Sequence, residues 1–170
     1  MAWFRRSAPA EPLPVTMTGV KIGDRLLAVG GADAALIAAL AAKTGLTGEA
    51  HVVEEAPDRA RRTAAAIERH GALADVATAP WTMLPYDSGH FDVAVLVHPR
   101  STVPADALAR CAAEVFRVLR PGGRFMLIES KRGPAGEDLP AMLQAAGFAA
   151  VRVIAERDRM RYTEGIKRGS

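Results

Sequence analysis

Apolar residues occur along the chain in two kinds of segment that follow one another in turn. One kind is a short continuous apolar run, and the other is a longer stretch in which the apolar residues share one helical face. The continuous runs predict strands covered on both faces, because a half-exposed strand alternates apolar with polar residues. The longer stretches predict amphipathic helices packed on a sheet. The predicted strands are 25–29, 50–54, 73–78, 91–98 and 124–130, and the helices between them are 33–43, 57–70 and 104–119.

The last part of the chain departs from this alternation. A short helix is predicted over 138–146, with Pro140 in its first turn and Gly147 just past its end, as helix capping favours. Two further strands, 151–155 and 160–167, are separated by a very short segment. Because a parallel crossover needs about a dozen residues, these two strands are predicted to form an antiparallel hairpin.

Strands that alternate with helices predict right-handed crossovers and a mostly parallel sheet with helices on both faces. The predicted fold class is therefore α/β, a Rossmann-like doubly wound sheet that ends in an antiparallel hairpin. A chain of 170 residues suits one domain and is long enough to bury a core. Residues 1–19 carry three prolines and no periodicity, so we predict a loose tail there and a single domain over 20–170.

Composition and charge narrow the possible functions only slightly. The net charge is +3, and the late cationic residues are interleaved with acidic ones, so a solvated hairpin is favoured over a nucleic-acid-binding face. Cys111 is the only cysteine, which excludes an intrachain disulfide and a thiolate cluster; on an apolar helix face it is predicted to be inert core. The histidines His51, His70 and His90 fall on separate predicted elements, and we predict no metal site.

The chain shows no targeting or membrane signal. Two arginines near the amino terminus are not followed by an apolar segment, so a secretory signal is not predicted. No stretch approaches the roughly 20 apolar residues needed to cross a membrane. A cytoplasmic protein without membrane contact is the resulting expectation.

A nucleotide site is predicted where the first strand turns into its helix. The segment 25–36 reads RLLAVGGADAAL, a strand that runs into Gly30 and Gly31 and then into an alanine-rich helix. Glycine lets the backbone approach a ligand at the carboxyl ends of parallel strands, and Glu54 ends the next strand roughly 20 residues later, where such folds place the carboxylate that holds a ribose. The alternative is an ordinary turn with a solvated Glu54.

The dinucleotide pattern G-x-G-x-x-G is incomplete, because its positions are occupied by Gly30, Ala32 and Ala35. The hairpin at the end of the chain also leaves no second nucleotide-binding half, which such enzymes build from further parallel units. A nicotinamide-dependent oxidoreductase is therefore disfavoured.

Four segments, in order and suitably spaced, resemble a known family. They read EEAPD (54–58), LPYDSGHFD (84–92), EVFRVLRPGGR (114–124) and LQAAGF (143–148). Over about residues 20–168 the chain resembles the class I S-adenosylmethionine-dependent methyltransferases of the type found in ubiquinone and menaquinone biosynthesis. The third segment is the most specific, since it is close to the family's Arg-Val-Leu-x-Pro-Gly-Gly signature.

The resemblance implies a seven-stranded sheet whose last strand is antiparallel, and S-adenosylmethionine as cofactor. It further implies that Gly30 packs against the methionine part, that Glu54 holds the ribose hydroxyls, and that the loop after the third strand flanks the adenine. The predicted cofactor-binding residues are Ala28, Gly30, Gly31, Ala32, Glu54, Glu55, Pro80 and Trp81.

Several of these positions depart from the family's pattern. Ala28 stands where an acid is common, Ala32 and Ala34 replace later glycines of the turn, and Pro80 stands where an acid usually reaches the adenine amino group. Trp81 either stacks on adenine or caps the core. Each lost polar contact costs about 1–3 kcal/mol if a buried ligand group is left unpaired.

Methyl transfer from a sulfonium mainly requires that donor and acceptor be positioned, sometimes with removal of a proton. His98, predicted at the carboxyl end of the fourth strand, is the candidate general base; the alternative is that it only satisfies the turn before Pro99. Tyr86 either lines the acceptor pocket or packs, and Asp92 is interpreted as structural.

Two functions are therefore kept, a methyltransferase with an unidentified acceptor and a methyltransferase-like binding or assembly module without turnover. Only Lys131–Glu137 separate the fifth strand from the next helix, and the amino-terminal tail is short. We therefore predict an open site without a lid. Such a site suits a macromolecular acceptor, or completion by a partner chain or a second copy.

Overall fold

The computed structural model describes residues 11–132 and 138–169. The helices are α1 (Leu13–Thr18), α2 (Ala34–Thr44), α3 (Pro57–Arg69), α4 (Pro99–Thr102), α5 (Ala105–Val118) and α6 (Leu139–Ala145). The strands are β1 (Arg25–Val29), β2 (Glu49–Glu54), β3 (Asp75–Thr78), β4 (Phe91–Val97), β5 (Leu119–Ser130), β6 (Ala149–Arg157) and β7 (Met160–Ile166).

All of these strands join one seven-stranded sheet in the order β3-β2-β1-β4-β5-β7-β6. The first five strands in this order, β3, β2, β1, β4 and β5, run parallel to one another. Strand β7 runs antiparallel to both β5 and β6. The order reverses between β1 and β4, so the carboxyl ends of these two strands form the switch point at which such sheets bind ligands. The predicted doubly wound sheet and carboxyl-terminal hairpin are confirmed.

The core lies in layers on the two faces of this sheet. Alternate residues of β5 show the arrangement, because successive side chains of a strand point to opposite faces. Phe125 and Leu127 pack on one face with the apolar side of α5, and Met126 and Ile128 pack on the other face with residues of α2. Cys111 is fully buried in the first layer, and burial raises the pKa of its thiol to about 12, in agreement with an inert core cysteine.

The prediction of a loose tail is wrong for residues 13–18, which form α1. Pro14 stands in the first turn of this helix, where its missing N–H is not needed. Val15 and Thr18 are buried, and the Thr18 hydroxyl donates to the Val15 carbonyl at 2.7 Å. A helix of six residues is too short to show a periodic pattern in the sequence. The remaining tail residues 1–10 lie outside the described chain.

Other predicted boundaries shift for local reasons. β5 begins at Leu119 rather than at Arg124, because Leu119 pairs with Phe91 before the Pro-Gly-Gly segment interrupts the register. The turn after β4 contains the unpredicted one-turn helix α4. β3 starts at Asp75, two residues later than predicted, and Leu73 is left exposed.

Two arginines of the hairpin are paired with carboxylates. Arg152 contacts the buried Glu164 at 3.0 Å, and Arg161 contacts Glu156 at 2.7 Å. These pairs agree with a solvated hairpin, and the absence of a nucleic-acid partner stays a prediction. No helix in the described ranges has the length and apolar character needed to cross a membrane.

Lys167 closes the carboxyl end of α5. Its ammonium donates to the carbonyl oxygens of Phe116, Arg117 and Leu119 at 2.7, 3.2 and 2.7 Å. Carbonyls at this end of a helix lack intrahelical partners and attract cations. Lys167 thus connects the end of β7 to the junction between α5 and β5.

We expect Lys167→Met to lower the free energy of unfolding by about 1–3 kcal/mol, because it leaves three part-buried carbonyls without a charged donor. The matched control is Arg168→Met, at an exposed neighbouring position, which should change stability by less than about 0.5 kcal/mol. Urea denaturation of both variants measures the difference. Equal losses in the two variants would contradict the assigned role.

Candidate functional site

The glycine turn lies at the carboxyl end of β1, as predicted. Gly30 has φ +73°, a left-handed conformation that favours glycine, and its N–H donates to the carbonyl of Val53 at 2.9 Å. Asp33 then caps α2, because its carboxylate accepts from the Leu36 N–H at 3.0 Å. The strand, the turn and the capped helix form the compact unit that the sequence predicts.

Glu54 faces this turn from the end of β2. Its side-chain oxygen Oε1 accepts from the Gly31 N–H and from the Thr63 hydroxyl, both at 2.7 Å. Glu54 is only 1% exposed, so the alternative of a solvated carboxylate is wrong. Its other oxygen, Oε2, is buried and accepts no hydrogen bond from any described residue, while Arg59 Nε lies 3.4 Å away.

Trp81 covers the other side of the turn. Its ring is 1% exposed, and its indole N–H donates to the Val53 carbonyl at 3.0 Å. The backbone N–H of Trp81 donates to Glu55 Oε1 at 3.2 Å. Of the two predicted roles, stacking on adenine or capping the core, this conformation shows the second.

Gly30 is closed off by side chains of the same chain. A Cβ built on Gly30 would lie 2.7 Å from the Thr102 methyl group and 3.5 Å from the Trp81 ring. We call these two side chains the Gly30 cover. Gly31 is equally crowded, since a Cβ there would lie within 2.8 Å of both Thr63 and Glu54.

S-adenosylmethionine therefore fits this conformation only in part. A ribose hydroxyl would find Glu54 Oε2, which is ion-paired with Arg59 but accepts no hydrogen bond from any described residue, and such a group is one that a buried ligand can satisfy. The methionine part would need the space above Gly30, and the Gly30 cover fills that space. Next to Glu54 a cavity of about 330 Å³ opens to solvent, lined by Gly31, Glu54, Arg59, Arg62 and Thr63.

The remaining predicted cofactor residues have different surroundings. Ala28 is buried with Ile37 and Ala38 under α2, so its methyl group packs in the core and its assignment to the site is corrected. Ala32, Glu55 and Pro80 are exposed. The short Lys131–Glu137 connection, on which the prediction of a lidless site partly rests, includes residues 133–137, which lie outside the described residues.

His98 follows β4 in a left-handed conformation, with φ 51°, which is uncommon outside glycine and occurs often at functional sites. Its N–H donates to the Ile128 carbonyl at 2.7 Å, and its carbonyl accepts from Ser101 and Thr102 at 2.9 Å. The backbone of His98 thus shapes the turn before Pro99. The imidazole is partly exposed, and a role as general base stays a prediction.

Glu114 and Arg117 hold the loop that carries Trp81, a role that the sequence interpretation missed. Glu114 accepts from the Leu84 N–H at 2.8 Å, and Arg117 donates to the carbonyls of Leu84 and Tyr86 at 3.0 and 2.8 Å. The Arg117 guanidinium lowers the pKa of the Glu114 carboxyl. Two family-like segments, LPYD and EVFRVLRPGG, therefore meet through this pair. The sequence signal for the pair is two opposite charges three residues apart on one predicted helix.

Tyr86 and Asp92 take structural positions. Tyr86 is partly buried against the core, so it packs rather than facing the glycine turn. Asp92 accepts from the Arg25 N–H at 2.7 Å and contacts Arg120, at the edge of the sheet opposite the turn. The structural interpretation of Asp92 agrees with these contacts.

The predicted separation of the histidines is wrong for two of them. His51 on β2 and His90 before β4 lie side by side, each 3.3 Å from the same oxygen of Glu49. The strand order places β2 and β4 on either side of β1, and this neighbourhood cannot be read from the positions of the histidines along the chain. His70 is exposed at the end of α3.

Comparison with known proteins now identifies the family. Residues 26–123 match the family model described as "Methyltransferase domain", and the chain belongs to this family. It is 28% identical over 116 residues to the ubiquinone/menaquinone biosynthesis C-methyltransferases UbiE of Cupriavidus necator and Chromobacterium violaceum. The match covers 68% of this chain and 46% of each relative, so the chain spans about half the length of the curated relatives it matches.

Solved structures share the fold over nearly the whole chain. A SAM-dependent methyltransferase from Aquifex aeolicus superposes with a TM-score of 0.73 at 16% identity, covering 90% of this chain and 87% of that one. A putative methyltransferase from Bacillus halodurans gives 0.73 at 13% identity, covering 92% and 97%. PigF with SAH gives 0.64 at 18% identity, covering 85% and 50%.

The contact between the Gly30 cover and the turn gives a testable stability effect. We expect Gly30→Ala to be destabilising by about 1–2 kcal/mol from its left-handed backbone, with a further about 1–3 kcal/mol from overlap with the Thr102 methyl group. Thr102→Ser keeps the hydroxyl that donates to the Val97 carbonyl at 2.8 Å but removes the methyl group.

The cost of Gly30→Ala should therefore be smaller in the Thr102→Ser background. Thermal or urea unfolding of the two single variants and the double variant measures this coupling. If the two substitutions are additive, Thr102 does not cover Gly30 in solution.

Proposed function

We propose that this chain is an S-adenosylmethionine-dependent methyltransferase that holds the cofactor ribose on Glu54. The observation that carries the proposal is the buried Oε2 of Glu54, which lacks a hydrogen bond from any described residue and lies beside the glycine turn at the switch point of the sheet. Arg59 Nε, 3.4 Å away, compensates the charge of this oxygen but donates no hydrogen bond to it, and a ribose hydroxyl would supply the missing donor. S-adenosylmethionine would supply an activated methyl group, and the acceptor is unidentified.

The chain's own residues would have to open the site before the whole cofactor binds. Because Glu114 and Arg117 hold the Leu84–Tyr86 backbone, we propose that the Trp81 ring moves while the loop that follows it stays in place. The measured affinity would then be the intrinsic affinity reduced by the fraction of molecules in which the Gly30 cover is open. His98, which lies on the same edge of the sheet, remains the proposed general base if the acceptor needs one.

A second candidate is a methyltransferase-like module without turnover. It is favoured by the Gly30 cover, which occupies the space that the methionine part needs. In this case Trp81 is a permanent part of the core, and the open face near Glu54 would serve a partner chain or a second copy. The two candidates differ in whether Trp81 and the cofactor compete.

Calorimetric titration with S-adenosylmethionine and with S-adenosylhomocysteine tests Glu54. We expect Glu54→Gln to weaken binding at least about tenfold, because the amide can still accept from Gly31 and Thr63 but presents a donor where the ribose needs an acceptor. The matched control is Glu68→Gln, at an exposed position on α3, which should bind like the wild type. Equal affinities for all three proteins would contradict the ribose assignment.

The same titration with Trp81→Leu separates the two candidates. A smaller side chain would raise the open fraction, so the methyltransferase hypothesis predicts tighter binding, by roughly tenfold for each 1.4 kcal/mol by which the closed state is weakened. Circular dichroism establishes that the variant is folded. If neither folded protein binds either ligand at millimolar concentration, the module without turnover is supported instead.

A further inference from the structure

The amino-terminal edge of the sheet carries a cluster of side chains that the methyltransferase function does not use. Glu49 and His51 stand two residues apart on β2 and therefore point to the same face of the sheet. His90 reaches them from the loop just before β4. One ligand atom from each of the three residues lies within 4.8 Å of the others.

The distances in this cluster suit a metal ion. Glu49 Oε2 lies 3.3 Å from His51 Nε2 and 3.3 Å from His90 Nε2, longer than the usual N–H···O hydrogen bond of about 2.9 Å. In a tetrahedral zinc site with ligands at about 2.0–2.1 Å, neighbouring ligand atoms are about 3.3 Å apart. The carboxylate oxygen thus lies at the ligand-to-ligand spacing of such a site from each imidazole nitrogen, and the three ligand atoms all lie within 4.8 Å of one another.

Two charged residues lie around the cluster. Histidine ligands commonly direct their second ring nitrogen toward a carboxylate, and the exposed Asp75 on the neighbouring strand β3 stands on that side of His51, with Oδ2 4.0 Å from Nδ1, a distance that must shorten for a hydrogen bond to form. Arg25 Nε is 3.8 Å from the other oxygen of Glu49, which leaves Oε2 for the ion.

The two imidazole rings are held in place by aromatic neighbours. The buried Phe91 ring lies edge-to-face 5.5 Å from His51 and 4.7 Å from His90, and Tyr86 lies 5.4 Å from His51. The side chains of His51 and His90 are 16% and 31% exposed. An ion can therefore enter from solvent without opening the core, and solvent or a further ligand can complete its coordination.

We infer that Glu49, His51 and His90 bind a divalent transition-metal ion of the zinc type, with Asp75 as the carboxylate behind His51. Two imidazoles and one carboxylate are the ligands that Zn²⁺ commonly takes, with one position left open. The ion would tie β2 to the segment before β4 across the start of β1. This site lies at the opposite edge of the sheet from Glu54 and Trp81 and is independent of methyl transfer.

The test uses the full chain, freed of any histidine tag and of bound metal, titrated calorimetrically with ZnCl₂. We expect one ion per chain, with affinity at least about tenfold lower in His90→Gln, which removes a ligand, and a smaller loss in Asp75→Asn, which removes only the carboxylate behind His51. His70→Gln is the matched control, because His70 is an exposed histidine outside the cluster, and it should bind like the wild type.

Two further readouts keep the test independent of folding defects. Zn²⁺ should raise the melting temperature of the wild type but not that of His90→Gln, a surface-loop variant whose metal-free melting temperature should equal that of the wild type. Substituted Co²⁺ should give visible absorption bands that His90→Gln lacks. The inference is overturned if wild type and His90→Gln bind Zn²⁺ equally, or if His70→Gln weakens binding as much as His90→Gln does.

Discussion

A buried charge at the end of β2 organises the carboxyl edge of the sheet. Removing the Glu54 carboxylate from water is costly unless donors replace the lost hydration, and the donors come from two other elements. Gly31 belongs to the turn after β1, and Thr63 belongs to α3. Both donors bond the same oxygen of Glu54. The hydrogen bonds of this one carboxylate therefore hold the glycine turn in a defined position relative to α3.

The same carboxylate connects the fold with its function. One oxygen is used by the chain itself, whereas the other stays buried without a hydrogen-bond donor among the described residues. Trp81 occupies the neighbouring space, where its indole N–H satisfies the carbonyl of Val53. The space above Gly30 is therefore taken by core packing, and the proposed cofactor site requires that this packing give way.

The two ends of the sheet have different chemistry. Parallel strands bring all carboxyl ends to one edge and all amino ends to the other, so Glu49 and Glu54 lie at opposite ends of β2, roughly 16 Å apart along an extended strand. The carboxyl edge combines glycines with a buried acid, which suits a nucleoside. The amino edge combines imidazoles with an exposed acid, which suits an ion.

The sequence by itself determined the sheet, the hairpin and the positions of the glycine turn and Glu54 at adjacent strand ends, because apolar runs, short connections and strand-end positions are local signals whose geometry is nearly obligatory. It did not reveal α1, which is too short for a period to appear, or the Glu114–Arg117 pair, whose partners lie about 30 residues away in the chain. Only the tertiary structure decided that Trp81 covers Gly30 and that His51 meets His90. Both results depend on which side chains fill the space between elements distant in sequence, and that choice is made by packing in three dimensions.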